Sequence, residues 1–96
     1  MLHLNDRFQQ APSIVSRKIG EDVILVPIRQ NMRDLESIFT LNESAALAWD
    51  AMDGQHSLAE IHQRILSEYK VSSAEAEKDL FELVAYLLEI NALVRV

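Results

Sequence analysis

Short apolar runs in the first half of the chain and helical spacings in the second half divide the sequence into a sheet-forming part and a helical part. Ile14–Ile19 alternates imperfectly between apolar and polar residues, and residues 23–28 form an apolar run. Gly20 lies between the two segments, a pattern typical of two strands joined by a turn. The second run is continuously apolar, which predicts burial on both faces, and Pro27 marks its end or a sheet edge. A third strand is predicted over residues 37–41, which are rich in strand-favouring residues.

The third strand runs directly into the first predicted helix, residues 43–52. Asn42 is the predicted N-cap, because its side-chain oxygen can accept a backbone N–H of the first turn. Gly54 is expected to end the helix as a left-handed C-terminal cap. Apolar residues at spacings of three and four predict burial of one broad side. These positions are Ala45, Ala46, Ala48, Trp49 and Met52.

Two further helices are predicted, over residues 58–69 and 73–90. Each begins with a capping box, in which a serine and a glutamate three residues later bond each other's backbone N–H: Ser57 with Glu60, and Ser72 with Glu75. Asn91 is expected to cap the third helix at its C-terminus. Residues 93–96 are predicted to form a short extended tail that could add to the sheet.

The order of these elements predicts one domain, residues 14–96, preceded by a flexible N-terminal arm, residues 1–13. Leu2, Leu4 and Phe8 are candidate anchors for the arm. The predicted fold is α+β and winged-helix-like, with a small three-stranded antiparallel sheet followed by three helices.

Composition fits a globular domain and excludes several classes of function. The 96 residues are 49% hydrophobic, enough for one modest core, and the lack of cysteine excludes disulfides and thiolate metal sites. The sequence has no apolar run of membrane-spanning length and no signal-peptide pattern at its start, so a cytoplasmic protein is expected. The net charge of −6 argues against nucleic acid as a partner, because phosphate binding needs clustered Lys and Arg.

No arrangement of residues predicts catalysis. His3, His56 and His62 are not at metal-ligand spacings, so no metal site is expected, and His62 is expected to be solvated or to act as a cap. Serines at the starts of the predicted helices are capping residues, and no nucleophile-elbow motif is present. Two glycines cannot build a phosphate-cradling loop. The chain is therefore not expected to be an enzyme, and no cofactor is expected.

The third predicted helix carries the main candidate binding surface. Its predicted core stripe is Ala76, Leu80, Leu83, Val84 and Leu87. Phe81 and Leu88 lie on one flank, about 100° from the centre of the stripe. They are either covered by the first helix or the arm, or they line a groove that the third strand borders. If that strand is a sheet edge, its unpaired backbone groups could accept an extended peptide.

A winged-helix order also raises DNA binding, in which the third helix is the usual reader. Here that helix carries five acidic residues and the single basic residue Lys78. The acidic residues are Glu75, Glu77, Asp79, Glu82 and Glu89. Because like charges repel, DNA recognition is disfavoured. A protein-interaction domain, with the flank of the third helix as a homodimer surface, stays open as an alternative.

Two long runs of the sequence resemble the PqqD family of pyrroloquinoline quinone biosynthesis. They are LNESAALAWDAMDG, residues 41–54, and HSLAEIHQRILSEYKVSSAEAEKDLFELVAYLLEINALV, residues 56–94. The resemblance covers residues 23–96, and the order and spacing of its matching features carry it. These features are Leu41-Asn42, Ala46, Trp49, Asp53-Gly54, the helix start from Ser57 to Ile61, and the closing Leu87, Ala92, Leu93 and Val94.

The resemblance implies a peptide chaperone, the kind of domain that recognises ribosomally made precursor peptides. In the family, the leader of the precursor adds to the third strand and lies against the third helix. The domain then presents the precursor to a modifying enzyme, often a radical SAM enzyme with its own iron–sulfur clusters. The implied strand contacts are Ser37, Ile38, Phe39, Thr40 and Leu41. The implied helical contacts are Lys78, Phe81, Ala85 and Leu88.

The segment before the third strand departs from the family pattern. Family members dedicated to pyrroloquinoline quinone carry a Tyr-Pro-Glu-Gly segment that leads directly into this strand. This chain instead has VPIRQNMRDLESIF, residues 26–39, which is a longer polar connection. The difference favours a PqqD-like protein that serves some other modified peptide.

Overall fold

Two antiparallel three-stranded sheets and three helices make up residues 2–28 and 39–96, the part of the chain that this computed structural model describes. The strands are β1 (Arg7–Gln10), β2 (Ile14–Ile19), β3 (Asp22–Pro27), β4 (Phe39–Leu41), β5 (Asp53–Ser57) and β6 (Leu93–Arg95). The helices are α1 (Glu43–Asp50), α2 (Leu58–Glu68) and α3 (Ser73–Glu89). The fold is α+β and winged-helix-like, and all three predicted helices are confirmed.

The first sheet has the strand order β2-β3-β4 with antiparallel pairing. It confirms the predicted three-stranded antiparallel sheet and its turn at Gly20, whose φ is +62°. The predicted burial of β3 on both faces is wrong. Val23 and Leu25 are buried, whereas Ile24 and Val26 are partly exposed. The reason is that the core lies on one face of the sheet only, so burial alternates along the strand.

The second sheet has the order β5-β1-β6. Residues 7–10 form its central strand, so the prediction of a flexible arm is wrong for these residues. β1 is ordered because two distant segments complete its hydrogen bonds on both sides. Its Phe8 side chain is buried in the core, and Leu2 and Leu4 pack against the same core, which confirms all three as anchors. The C-terminal tail is extended as predicted, but it pairs with β1 rather than with the first sheet.

α1 begins as predicted, because the Asn42 Oδ1 atom accepts a hydrogen bond from the Ala45 N–H at 2.9 Å. The predicted role of Gly54 as the C-terminal cap of this helix is wrong. α1 ends at Asp50, and Gly54 lies in β5 with a φ of +82°. The pairing of β5 with β1 is irregular there, and a Cβ atom at Gly54 would lie 3.1 Å from Gln9 Oε1. The strand pairing, rather than the helix, therefore requires glycine at this position.

α2 is anchored through its first turn. Its capping box is confirmed: the Ser57 N–H donates to Glu60 Oε1 at 2.8 Å, and the Glu60 N–H donates to Ser57 Oγ at 3.2 Å. The N–H groups of the first two helical residues donate to the carbonyl oxygens of Asp6 and Leu4. All four N–H groups that a helix leaves unpaired at its start are thereby satisfied. These bonds also hold the N-terminal segment against α2.

α3 begins and ends with hydrogen-bonded caps. The Ser72 Oγ atom accepts from the Glu75 N–H at 3.1 Å, which confirms one half of the predicted capping box. Asn91 has a φ of +61°, which confirms the predicted C-terminal cap. The Ala92 N–H donates to the Leu87 carbonyl at 2.8 Å, as in a Schellman motif. This turn directs the chain from α3 into β6.

His62 is buried, so the prediction of a solvated or capping side chain is wrong. Only 5% of the residue is exposed, and its Nε2 atom lies 2.9 Å from the Ser73 carbonyl oxygen. Because a carbonyl can only accept, the ring hydrogen lies on Nε2. This bond connects α2 to the first turn of α3.

Acid should weaken the anchoring of the N-terminal segment at Asp6. The pKa of Asp6 is lowered, first because its carboxylate accepts the His3 N–H and second because it bonds Arg95. A carboxyl group whose pKa is lower in the folded state stabilises that state above its ordinary pKa, and this stabilisation is lost as the pH falls. We expect the urea midpoint to drop between about pH 5 and pH 3, and to drop less in Asp6→Asn.

The fluorescence of the single, buried Trp49 measures the unfolding transition. Asp50→Asn is the matched control, because Asp50 is exposed and belongs to neither ion pair of residues 2–28 and 39–96. An Asp6→Asn variant that loses as much stability on acidification as the wild-type protein would contradict this assignment.

Candidate functional site

One side of β4 is unpaired among residues 2–28 and 39–96. β4 is last in the strand order β2-β3-β4, and its partners lie in β3, with Leu25 opposite Phe39 and Val23 opposite Leu41. A sheet edge of this kind presents backbone N–H and C=O groups to an extended chain. The sequence left open whether this strand is an edge, and in the described part of the protein it is one.

One aromatic contact connects β4 to α3. The ring centroids of Phe39 and Tyr86 are 5.5 Å apart at an interplanar angle of 80°, which is an edge-to-face arrangement. Phe39 is half-buried, and Tyr86 is 41% exposed. The two rings therefore present a partly exposed aromatic surface between the strand and the helix.

A pocket of about 270 Å³ lies at the other end of β4. It is enclosed by the start of α1, the end of α2 with the residue Val71 beyond it, and the first part of α3. Most of its wall is apolar and includes Ala45, Ile65, Leu80, Leu83 and the ring of Tyr69. Its polar lining residues are Asn42, Ser44 and Asp79, and Tyr69 also carries a hydroxyl.

The aromatic contact and the pocket define a groove between β4 and α3. The first residue of β4 meets the last turn of α3, whereas the pocket lies where β4 ends and beside the first part of α3. Strand and helix therefore run in opposite directions along the groove. We call this surface the β4–α3 groove, formed by residues 39–42 on one side and by Asp79, Leu83 and Tyr86 on the other. These three helical residues are spaced by four and three positions, so they share one face of α3.

The predicted strand contacts are only partly within the described residues. Phe39, Thr40 and Leu41 form β4, whereas Ser37 and Ile38 lie outside the described ranges. Thr40 is exposed, but only 4% of Leu41 is exposed, and its side chain belongs to the core. The Leu41 side chain is therefore not available to a ligand.

The predicted helical contacts lie elsewhere on α3. Phe81 and Leu88 are about 140–160° around the helix from Tyr86, at about 100° per residue. Both are partly buried against the core. Lys78 and Ala85 are exposed. The assignment of these four residues as ligand contacts stays a prediction, and the flank of α3 that contacts β4 is the one that carries Tyr86.

Tyr86 and Leu83 are the groove residues that sequence reasoning missed. The core stripe predicted for α3 includes Leu83, which is only half-buried, and no motif singles out Tyr86. Their spacing from Asp79, by four and then three positions, could have identified them. It places one leucine and one aromatic ring on an otherwise acidic side of the helix.

The helical side of the groove is acidic. Glu75, Asp79 and Glu82 are exposed on the same side of α3 as Tyr86. Burial raises the pKa of Tyr69 in the pocket wall, and the Glu43 carboxylate raises it further, so the Tyr69 hydroxyl stays protonated at neutral pH. A surface of this charge repels the phosphates of nucleic acids.

The described ranges, 2–28 and 39–96, contain no group of three or more His, Asp and Glu residues placed to hold a metal ion. Within the same ranges, no helix is both long enough and apolar enough to cross a membrane.

Comparison with known proteins gives one family and two similar structures. The family described as coenzyme PQQ synthesis protein D (PqqD) matches residues 23–93. One similar structure is lasso peptide synthetase B1 complexed with the leader peptide, with 28% identity, a TM-score of 0.76, and coverage of 92% of this chain and 98% of that chain. The other is TbiB1 in complex with the TbiA(beta) leader peptide, with 22% identity, a TM-score of 0.74, and coverage of 88% and 93%. No curated protein matches the chain.

A double-mutant cycle tests which flank of α3 faces β4. We expect Phe39→Leu and Tyr86→Leu to show a coupling of about 0.5–1.5 kcal/mol in the free energy of unfolding, because each removes one ring of an edge-to-face pair. Urea unfolding followed by Trp49 fluorescence supplies the four free energies. The matched control is the cycle of Phe39→Leu with Phe81→Leu, which should be additive. Coupling of Phe39 to Phe81 instead of Tyr86 would show that the groove faces the opposite flank.

Proposed function

The chain belongs to the PqqD family, and on this basis we propose that it is a non-catalytic peptide chaperone. Its ligand is the leader segment of a ribosomally made precursor peptide. The leader adds as a strand to β4 and lies in the β4–α3 groove. The observation that carries the proposal is the edge of β4, which is open within the described part of the chain and lies beside the exposed ring of Tyr86.

Backbone hydrogen bonds supply only part of the binding free energy in this arrangement. β4 has three residues, and each hydrogen bond to a ligand contributes about 1 kcal/mol net. A micromolar complex requires about −8 kcal/mol, so apolar side chains of the leader must also be buried. Phe39, Leu83 and Tyr86 offer the surface for them, and each fully buried Leu or Phe side chain contributes about 1.5–3 kcal/mol.

The similar structures support this choice of ligand. Lasso peptide synthetase B1 and TbiB1 have the same fold as this chain over most of its length, and both structures contain a leader peptide. The family likeness argues against the alternative of DNA binding. The charge of the groove argues against it too, because Glu75, Asp79 and Glu82 would repel approaching phosphates.

We also propose that the chain delivers its precursor to a separate modifying enzyme. The family resemblance favours a radical SAM enzyme for this role, acting in the cytoplasm where the precursor is made. The departure of residues 26–39 from the family pattern favours a precursor peptide for a product other than pyrroloquinoline quinone.

Methylation of single backbone nitrogens along the leader tests strand addition. Successive N–H groups of a strand point to opposite sides, so only every second one can donate to β4. We expect N-methylation to weaken binding at alternating positions, by about fivefold at each, with little effect at the positions between. The measurement is isothermal titration calorimetry with the leader encoded beside the gene, methylated at one nitrogen at a time.

The matched control for each weakened peptide is the peptide methylated one residue further along, which has the same composition. Losses at consecutive positions would indicate a helical ligand, because every N–H beyond the first turn is bonded within a helix. That result, or binding that no methylation weakens, would contradict strand addition.

A further inference from the structure

The pocket at one end of the β4–α3 groove is apolar along its wall and acidic at one point. Leu80, Leu83 and Tyr69 form much of the wall. Asp79 lies beside them, is exposed, and belongs to neither of the two ion pairs within residues 2–28 and 39–96. Lys78 projects about 100° away from it around α3. As far as residues 2–28 and 39–96 are concerned, the Asp79 carboxylate is therefore available to accept a hydrogen bond from a ligand.

The other polar groups of the pocket are partly engaged with each other. The Asn42 Oδ1 atom accepts from the Ala45 N–H at 2.9 Å and from the Ser44 hydroxyl at 3.2 Å. These bonds leave the Asn42 amide as a neutral donor and the Ser44 lone pairs as neutral acceptors. Among the described residues, Asp79 is the one charged group in the pocket wall. A donor on the ligand therefore gains the strongest bond here, because hydrogen bonds to a carboxylate are charge-assisted.

The pocket is placed to receive a side chain from a strand on β4. Asn42 follows Leu41 directly, so the pocket begins where β4 ends. At about 3.3 Å per residue, a paired leader reaches the pocket one or two residues beyond its contact with Leu41. The volume of about 270 Å³ is below the range of about 300–1,000 Å³ that is usual for small-molecule sites. It suits a single side chain.

We propose that this pocket binds one leader side chain that has an apolar body and a hydrogen-bond donor at its tip, namely Lys, Arg or Tyr, with Asp79 as the acceptor. This inference rests on the proposed function and assigns Asp79 as a specificity-determining residue. The body of the side chain packs against Leu80 and Leu83, and its tip reaches the carboxylate at the solvent side, as amphipathic side chains do. A Leu or Phe side chain would fill the wall but leave Asp79 partly desolvated without a donor.

Peptide display tests this assignment without a known leader. Random peptides of about ten residues, the upper length of most strands, are selected on immobilised wild-type protein, Asp79→Ala and Asp50→Ala. Asp50→Ala is the matched control, because it makes the same substitution at an exposed aspartate of α1 outside the groove and the pocket. We expect Lys, Arg or Tyr to be enriched at one position on wild type and on Asp50→Ala, and this enrichment to fall about fivefold on Asp79→Ala.

Affinities of one enriched peptide with Lys, Tyr or Leu at that position then identify the donor. If the affinity of the Lys peptide falls both with added salt and with Asp79→Ala, the tip is cationic. If the affinity of the Tyr peptide falls with Asp79→Ala but not with added salt, the tip is phenolic. Equal enrichment of Leu or Phe on all three proteins would overturn the pocket assignment and leave strand addition in place. Failure of wild-type protein to select any peptide would overturn the proposed function together with this inference. Circular dichroism confirms that the variants are folded.

Discussion

The edge of β4 is unpaired within residues 2–28 and 39–96, and the proposed binding of a leader peptide depends on it. Backbone N–H and C=O groups require partners, and an edge strand leaves one row of them to water or to a ligand. β4 is short but firmly held, because the Leu41 side chain is buried and Asn42 caps the next helix. The edge is thus ordered before any ligand arrives. An ordered edge reduces the entropy cost of binding, which leaves more of the contact free energy as affinity.

The second sheet positions the other wall of the groove, although it lies outside the groove itself. His62 connects α2 to the start of α3 through the Ser73 carbonyl. The Schellman turn at Asn91 leads from the end of α3 into β6, which pairs with β1. Arg95 then bonds Asp6 at 2.8 Å and lies over the Phe8 ring. The N-terminal segment therefore contributes to the position of α3, and through it to the width of the groove.

Local signals made the step from β4 into α1 and the start of α2 predictable from the sequence. The strand-to-helix step at Asn42 and the capping box of Ser57 with Glu60 depend on residues within one turn of each other, and both are confirmed. β1 and β5 were not predicted, because the segments RFQQ and DGQHS contain one apolar residue between them, Phe8. Their pairing depends on contacts between parts of the chain that are distant in sequence.

The flank of α3 that contacts β4 could not be predicted from the sequence, for a different reason. Periodicity shows which residues of α3 share a face, but not which flank is turned toward β4. Phe81 and Leu88 are the larger apolar pair on the wheel, yet the contact with Phe39 is made by Tyr86. The rotation of a helix about its axis depends on the packing of the whole domain, so only the structure separates the two flanks.

Leader binding in the β4–α3 groove is tested most directly by a nuclear magnetic resonance titration of isotope-labelled protein with the leader encoded beside its gene. Binding there predicts saturable shifts at the backbone amides of residues 39–41 and at Leu83 and Tyr86, with little change at Phe81 and Leu88. Shifts concentrated at Phe81 and Leu88, with residues 39–41 unaffected, would contradict binding in the β4–α3 groove.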